Sequence, residues 1–155
     1  MKRVAFWLLG LAALTAVAAA IYFRIVPDDP GVWHVDPEIA ERTGRANDYV
    51  VAPDSLTTIA SNRASPVFEV PPRELMFLFD SIAMGSAKRI AGSVDEMHAT
   101  YVQRSLVLGY PDYISAKSVE VEGGSALIIY SRSRFGYSDM GVNQARIDRW
   151  LAQIK

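Results

Sequence analysis

The chain of 155 residues contains no cysteine. That excludes disulfides, thiolate catalysis, cysteine zinc sites and acylation at a cysteine. It leaves the compartment open, since a domain of this size buries a core without disulfides. Histidine is also scarce, with only His34 and His98. A Ser-His-Asp arrangement would have to bring His98 beside Ser138 and Asp139, and no Gly-x-Ser-x-Gly elbow is present. A metal site would need both histidines plus carboxylates such as Asp36 or Glu96, whose spacing matches no metal motif. No catalytic residue, metal ligand or cofactor is assigned, and a non-catalytic protein is expected. Basic charge is thin through the body: Ile25 to Glu122 holds 8 Lys and Arg against 15 Asp and Glu. A nucleic-acid partner, which needs a basic face, is excluded on that ground. Gly123-Gly124 lacks the Lys-Ser/Thr of a phosphate loop.

One long stretch carries no charge at all. Val4 to Phe23 is an apolar run of 20 residues, and at about 1.5 Å per residue it spans roughly the 30 Å of a bilayer's hydrocarbon core. Trp7, Tyr22 and Phe23 lie near its ends, where aromatic rings favour the interface. Lys2 and Arg3 precede it, while Arg24, Asp28 and Asp29 follow. The charge bias places the N-terminus in the cytoplasm and the rest across the membrane, which for a bacterial chain is the inner membrane with the periplasm beyond it. Ala16-Val17-Ala18 and Ala18-Ala19-Ala20 also fit a signal-peptide cleavage pattern, but the run exceeds a signal core of roughly 7–15 residues. Run length favours an uncleaved signal anchor over 1–24. Its small-residue face of Ala12, Ala13, Ala16, Ala19 and Ala20 suits close approach by another transmembrane helix.

Residues 25–66 read as a membrane-proximal arm broken by Pro27, Pro30, Pro37 and Pro53. Val32 to Val35 and Tyr49 to Val51 are short apolar patches suited to edge strands. Trp33 fits a core position, an interfacial anchor or a partner contact equally well. Residues 67–155 form the domain. A short strand is expected over Val67 to Val70, then a helix from Pro72 to Ile90 with Gly85 as its weak point. Val94 to Leu108 reads as one long strand, Gly109 to Asp112 as a turn, and Ile114 to Glu122 as the next strand. Gly123-Gly124 closes a hairpin into Ala126 to Tyr130. Ile147, Trp150, Leu151 and Ile154 form the stripe of a last helix, capped by Ser138 or Asp139. The expected class is α+β: a single transmembrane helix, then a small antiparallel sheet with two helices packed on one face.

The densest polar segment is Ser131-Arg132-Ser133-Arg134-Phe135-Gly136-Tyr137-Ser138-Asp139-Met140-Gly141-Val142-Asn143-Gln144-Ala145-Arg146. It lies in the only basic part of the domain, since Gly123 to Lys155 holds 5 Lys and Arg against 2 Asp and Glu. Strand alternation puts Arg132 and Arg134 on one face and Ser131 and Ser133 on the other. Arg132, Arg134 and Arg146, with Ser138, Asp139 and Asn143, are the candidate binding residues for an anion or a partner. Arginines at a helix N-terminus offer bidentate donors to an anion. A structural corner, with Asp139 capping the helix and pairing an arginine, accounts for the same residue types and is the preferred reading.

Ile129-Tyr130-Ser131-Arg132-Ser133-Arg134, then Gly136 to Asn143, and Arg146 resemble the bacterial and plastid domain-of-unknown-function family 1499. Phe68, the helix from Leu75, Tyr101-Arg104-Ser105 and Tyr110-Pro111-Asp112 also sit where that family has similar residues. The likeness runs from about Thr43 to Ile154 and misses the apolar segment. Arg45-Ala46-Asn47-Asp48 keeps only the Asn of a Pro-Asn pair found in some members. The resemblance implies an α+β domain at a membrane or in an exported compartment, and no activity. The leading expectation is an accessory or scaffolding subunit of a larger membrane complex, partnered by lipid and an integral membrane protein. The alternative is a tethered domain binding an anionic small molecule or lipid headgroup at Arg132 and Arg134, and an enzyme is the weakest reading.

Overall fold

A computed structural model describes residues 2–53, 56 and 60–155. Met1 of the anchor and residues 54–55 and 57–59 of the arm lie outside the described residues. The uncharged run forms α1, Lys2–Ile25, with none of its residues buried. By length and composition it is a candidate membrane span, and the same features would suit a signal sequence.

A single helical turn, α2, Pro30–Trp33, follows, started by Pro30 at its first position and by the Asp29 carboxylate accepting from the Gly31 N–H at 2.9 Å. The edge strand expected at Val32 to Val35 is therefore replaced by this turn: its Pro and Asp cap favour helical geometry.

The fold is α+β. The remaining elements are β1 Asp48–Ala52, β2 Arg63–Ala64, α3 Pro72–Met84, β3 Lys88–Ser93, β4 His98–Arg104, β5 Pro111–Val121, β6 Gly124–Ser133 and α4 Val142–Leu151. Six strands form one sheet in the order β2-β1-β6-β5-β4-β3, antiparallel except for β1 with β2. β1 is thus an inner strand, and the sheet extends into the segment 25–66 that the sequence reads as an arm.

Four expectations are corrected. Val67 to Val70 contributes one bridge, Phe68 with Ser125, rather than a strand, because Pro71-Pro72 immediately starts α3. The helix ends at Met84, one residue before Gly85, and Lys88–Ser93 leaves to pair with β4. Val94 to Met97 is a turn, with Met97 at φ 53°, so the expected long strand is a hairpin plus β4. The following turn spans Ser105 to Tyr110, and β5 already starts at Pro111. It is tied by the Ser105 N–H to Tyr110 O at 2.9 Å and the Gly109 N–H to Ser105 O at 3.0 Å.

Period two gives the sheet two buried faces. On one, Leu127, Ile129, Ile114 and Tyr101 pack under α3 through Leu75, Met76 and Phe79, and under α4 through Ile147, Trp150 and Leu151. On the other lie Val50, Val102, Ile128 and Tyr130, all buried, and there the arm crosses the strands. Trp33 stacks on Tyr113 at 3.9 Å and 7°. Lys117 holds Asp36 at 2.9 Å and Glu38 at 2.5 Å, and Tyr130 donates to Glu41 O at 3.1 Å.

Candidate functional site

The polar segment after β6 splits between the two faces of the sheet. Ser131 turns under the helices and donates to Asn143 Oδ1 at 2.6 Å. The Asn143 amide reaches Asn47 O at 3.2 Å and Ser133 Oγ at 3.1 Å. Arg146, 3 % exposed, gives one nitrogen to Asn143 Oδ1 at 2.7 Å, another to Asp112 at 2.5 Å, and its Nε to Gln103. Asp139 accepts from the Gly141 N–H at 3.1 Å and the Asn143 N–H at 2.7 Å, satisfying the first turn of α4. The residue at the helix boundary is Gly141 in the left-handed region, φ 80°, a conformation that favours glycine. Ser138 accepts from the Met140 N–H at 3.2 Å and bridges to Ala46. Among the described residues, no buried side-chain nitrogen or oxygen in this half lacks a partner, as burial of polar groups demands.

The other half lies on the arm side. Arg132 is 5 % exposed and donates to Trp33 O at 2.8 Å and Ser115 Oγ at 3.4 Å. Its guanidinium carbon stands 4.7 Å from the centre of the Tyr130 ring and 5.5 Å from that of Trp33. Arg134 donates to Pro27 O at 2.9 Å and sits 5.5 Å from Trp33 and 5.4 Å from Phe135. Among the described residues neither arginine has a carboxylate within salt-bridge distance. Burial pushes the Arg132 pKa down to about 10, so it remains a cation at neutral pH. The neighbouring Tyr130 is pushed up to about 12, by burial first and then by the Asp48 carboxylate. Burial also acts to raise Asp48, but hydrogen bonds from Arg42 and Thr43 outweigh it and hold the group ionised.

Arg132 and Arg134 open into a cleft of about 310 Å³ lined also by Arg45, Trp33, Thr43, Asn47, Tyr130, Ser133 and Glu41. Three arginines face one carboxylate there. A larger hollow of about 820 Å³, between Glu69–Pro72 and Glu120–Gly124, has two glutamates and no basic residue in its lining. Of these two, the smaller cleft has the chemistry for an anion. Of the sequence candidates, Arg132 and Arg134 reach it. Arg146, Asn143, Ser138 and Asp139 are engaged in the corner instead, so the three arginines do not converge on one point. Arg45 and Trp33 join the cleft from the arm side, and Arg45 had no signal beyond its charge.

The two histidines do meet, stacked at 4.2 Å on the arm face, with His34 Nδ1 at 2.8 Å from Thr100 Oγ1 and His98 Nε2 at 3.1 Å from Val35 O. His98 opens β4 opposite Lys117, whereas Asp112 pairs with Ser133 at the far end of β5. His98 therefore lies at the opposite end of β4 from the corner that holds Ser138 and Asp139. No group of three His, Asp or Glu among the described residues is placed to hold a metal. On α1, Ala12, Ala13 and Ala16 are exposed, while Ala19 and Ala20 are half-buried.

Comparison with curated proteins and with solved structures gives no match. The family model described as Protein of unknown function (DUF1499) matches residues 41–154, from just before β1 to beyond the end of α4. That segment holds Arg45, Asn47, Arg132 and Arg134; Trp33 comes from outside it. The chain belongs to the DUF1499 family of proteins of unknown function, its family domain preceded by an apolar helix long enough to cross a bilayer.

Proposed function

We propose that this protein is a membrane-tethered, non-catalytic binding domain that holds an anionic group in the cleft of Arg132, Arg134 and Arg45. The observation carrying this reading is the buried Arg132 cation, which has hydrogen bonds and ring faces around it and feels the Asp48 charge across the strands, but among the described residues has no carboxylate within salt-bridge distance. A buried charge without a directly paired counter-ion is costly, and a phosphate or carboxylate entering the cleft would offset that cost. Arg134 stacks against Phe135, which packs on Phe23 at 4.9 Å. That places one wall of the cleft a single ring from the exit of α1, in the headgroup zone if α1 spans a membrane. An anionic phospholipid headgroup is therefore the favoured ligand. Lys2 and Arg3 ahead of the run support a cytoplasmic N-terminus and a domain on the periplasmic side.

The full chain in neutral detergent, titrated with short-chain phosphatidylglycerol, should show a rising melting temperature. Phosphatidylcholine of the same chain length should leave it unchanged. A rise with inorganic phosphate of equal size would point to a free anion rather than a lipid. No rise with either anion contradicts the reading. Arg45→Gln with Arg134→Gln should remove the response while leaving the unliganded protein folded, since neither side chain is part of the buried corner.

A second reading, an accessory subunit of a larger membrane complex, draws support from the exposed Ala12, Ala13 and Ala16 on α1, where small residues permit close helix approach. Purification from native membranes in mild detergent would yield a stoichiometric integral membrane partner, lost when Ala12 to Ala20 are scrambled.

A further inference from the structure

The turn between β4 and β5 carries three consecutive apolar residues at its tip, Leu106, Val107 and Leu108. Leu106 is 97 % and Val107 80 % exposed. A run of apolar side chains pointing into water is unfavourable unless something else receives it. The turn is not loosely hung: besides its two backbone bonds, Ser105 Oγ accepts from the Tyr110 N–H at 3.0 Å. Its tip is held against α1. The Arg24 guanidinium donates to Val107 O at 2.5 Å, to Leu106 O at 3.2 Å, and back along its own helix to Ala20 O at 3.1 Å. At Gly109 a Cβ would overlap the Arg24 side chain, and the backbone there has φ +76°. Arg104, next to the turn, clamps the helix exit by donating to Phe23 O, to Val26 O at 2.9 Å and to Asp28 at 2.6 Å. Tyr110 packs on Phe23 with ring centres 4.3 Å apart, tilted by 36°.

These contacts set a level. One guanidinium bridges the turn's carbonyls and a carbonyl four residues back from Arg24, about 6 Å along the axis. The tip therefore lies beside the last turn of α1, level with Tyr22 and Phe23, and not beyond the helix end. We infer that Leu106 and Val107 enter the bilayer interface beside α1, giving the domain a second lipid contact that fixes its orientation on the membrane. This rests on reading α1 as a membrane span. Its occupant is lipid, because the surface is continuous with the last turn of that span and lies at the level where apolar side chains and aromatic rings meet headgroups.

The absence of native cysteine permits a direct test in the full chain. Single cysteines at Leu106, Val107, Ala13 and Glu122 are labelled with an environment-sensitive fluorophore, and each variant is reconstituted into phosphatidylcholine and phosphatidylglycerol vesicles. Ala13 reports mid-span, and Glu122 reports the exposed turn at the opposite end of the sheet. Leu106 and Val107 labels should be quenched several-fold more by a lipid-borne quencher than the Glu122 label, and correspondingly protected from a water-soluble one. If they match Glu122 while Ala13 is lipid-quenched, the inference fails and the anchor reading stands. If Ala13 is itself water-quenched, the anchor reading fails and the inference falls with it.

Discussion

Asp112 at the start of β5 and Arg146 in α4 form an ion pair of 2.5 Å with side chains only 11 % and 4 % exposed. The same guanidinium orders Asn143, which in turn ties Asn47 to the end of β6. One buried cation thus joins the last helix, β5 and the segment leading into β1. Replacing Arg146 with Met leaves Asp112 as an uncompensated buried charge and should cost about 3–5 kcal/mol. Arg146→Lys should recover only part of this, because an ammonium cannot serve Asp112, Asn143 and Gln103 in one plane. Urea unfolding of the full chain in detergent measures both.

Asp139 holds the entry of α4 through two backbone N–H groups. Asp139→Ala should destabilise the domain by about 0.5–2 kcal/mol, and Asp139→Asn by less, since an amide oxygen still accepts. The same unfolding experiment orders the three proteins.

The histidine stack makes the arm sensitive to acid. Burial first, and then the adjacent His34 ring, hold the His98 pKa below its ordinary value of 6.5; the Val35 carbonyl and Asp36 pull upward and Lys117 adds to the depression. A histidine with a depressed folded pKa contributes stability that is complete above the unfolded value and is lost as pH falls below it. Melting temperature should therefore drop between pH 7.5 and pH 5, a window in which Asp36 and Asp48, both held below the ordinary carboxylate value by their hydrogen bonds despite burial, stay ionised. His98→Gln, which can still donate to Val35 O, should flatten that slope. An unchanged slope would contradict the assignment.

Trp33 covers Tyr113 and offers a ring to both cleft arginines. Trp33→Ala should cost about 2–3 kcal/mol, below the range for a fully buried tryptophan because part of the ring is exposed. Trp33→Phe should retain most of this. Denaturant unfolding gives the magnitude, and faster proteolysis between Pro27 and Arg42 would report loosening of the arm.

What could be read in advance was local. The α4 stripe and the β5–β6 hairpin follow from period 3.6, period two and Gly123-Gly124, which need no distant partner. β3 escaped because Lys88–Ser93 is an edge strand with half-buried residues and a glycine, appended to a helical pattern. Leu106 to Leu108 looked like strand because apolar residues usually pair or bury; here they form an exposed tip beside α1. β1 reads as an edge because its partner, β6, lies some eighty residues on and no short-range signal marks it. In the site, alternation alone places Arg132 with Arg134. Separating them from Arg146 needs the position of α4, and seating Trp33 over them needs the path of the arm, both of which are tertiary.

The claim that the arginine cleft holds an anionic lipid is tested most directly by native mass spectrometry of the full chain extracted from its own membranes in mild detergent. The account predicts a species retaining one anionic phospholipid, lost in the Arg45→Gln, Arg134→Gln variant while the protein stays folded. A protein free of lipid, or an equal lipid load on the variant, would contradict it.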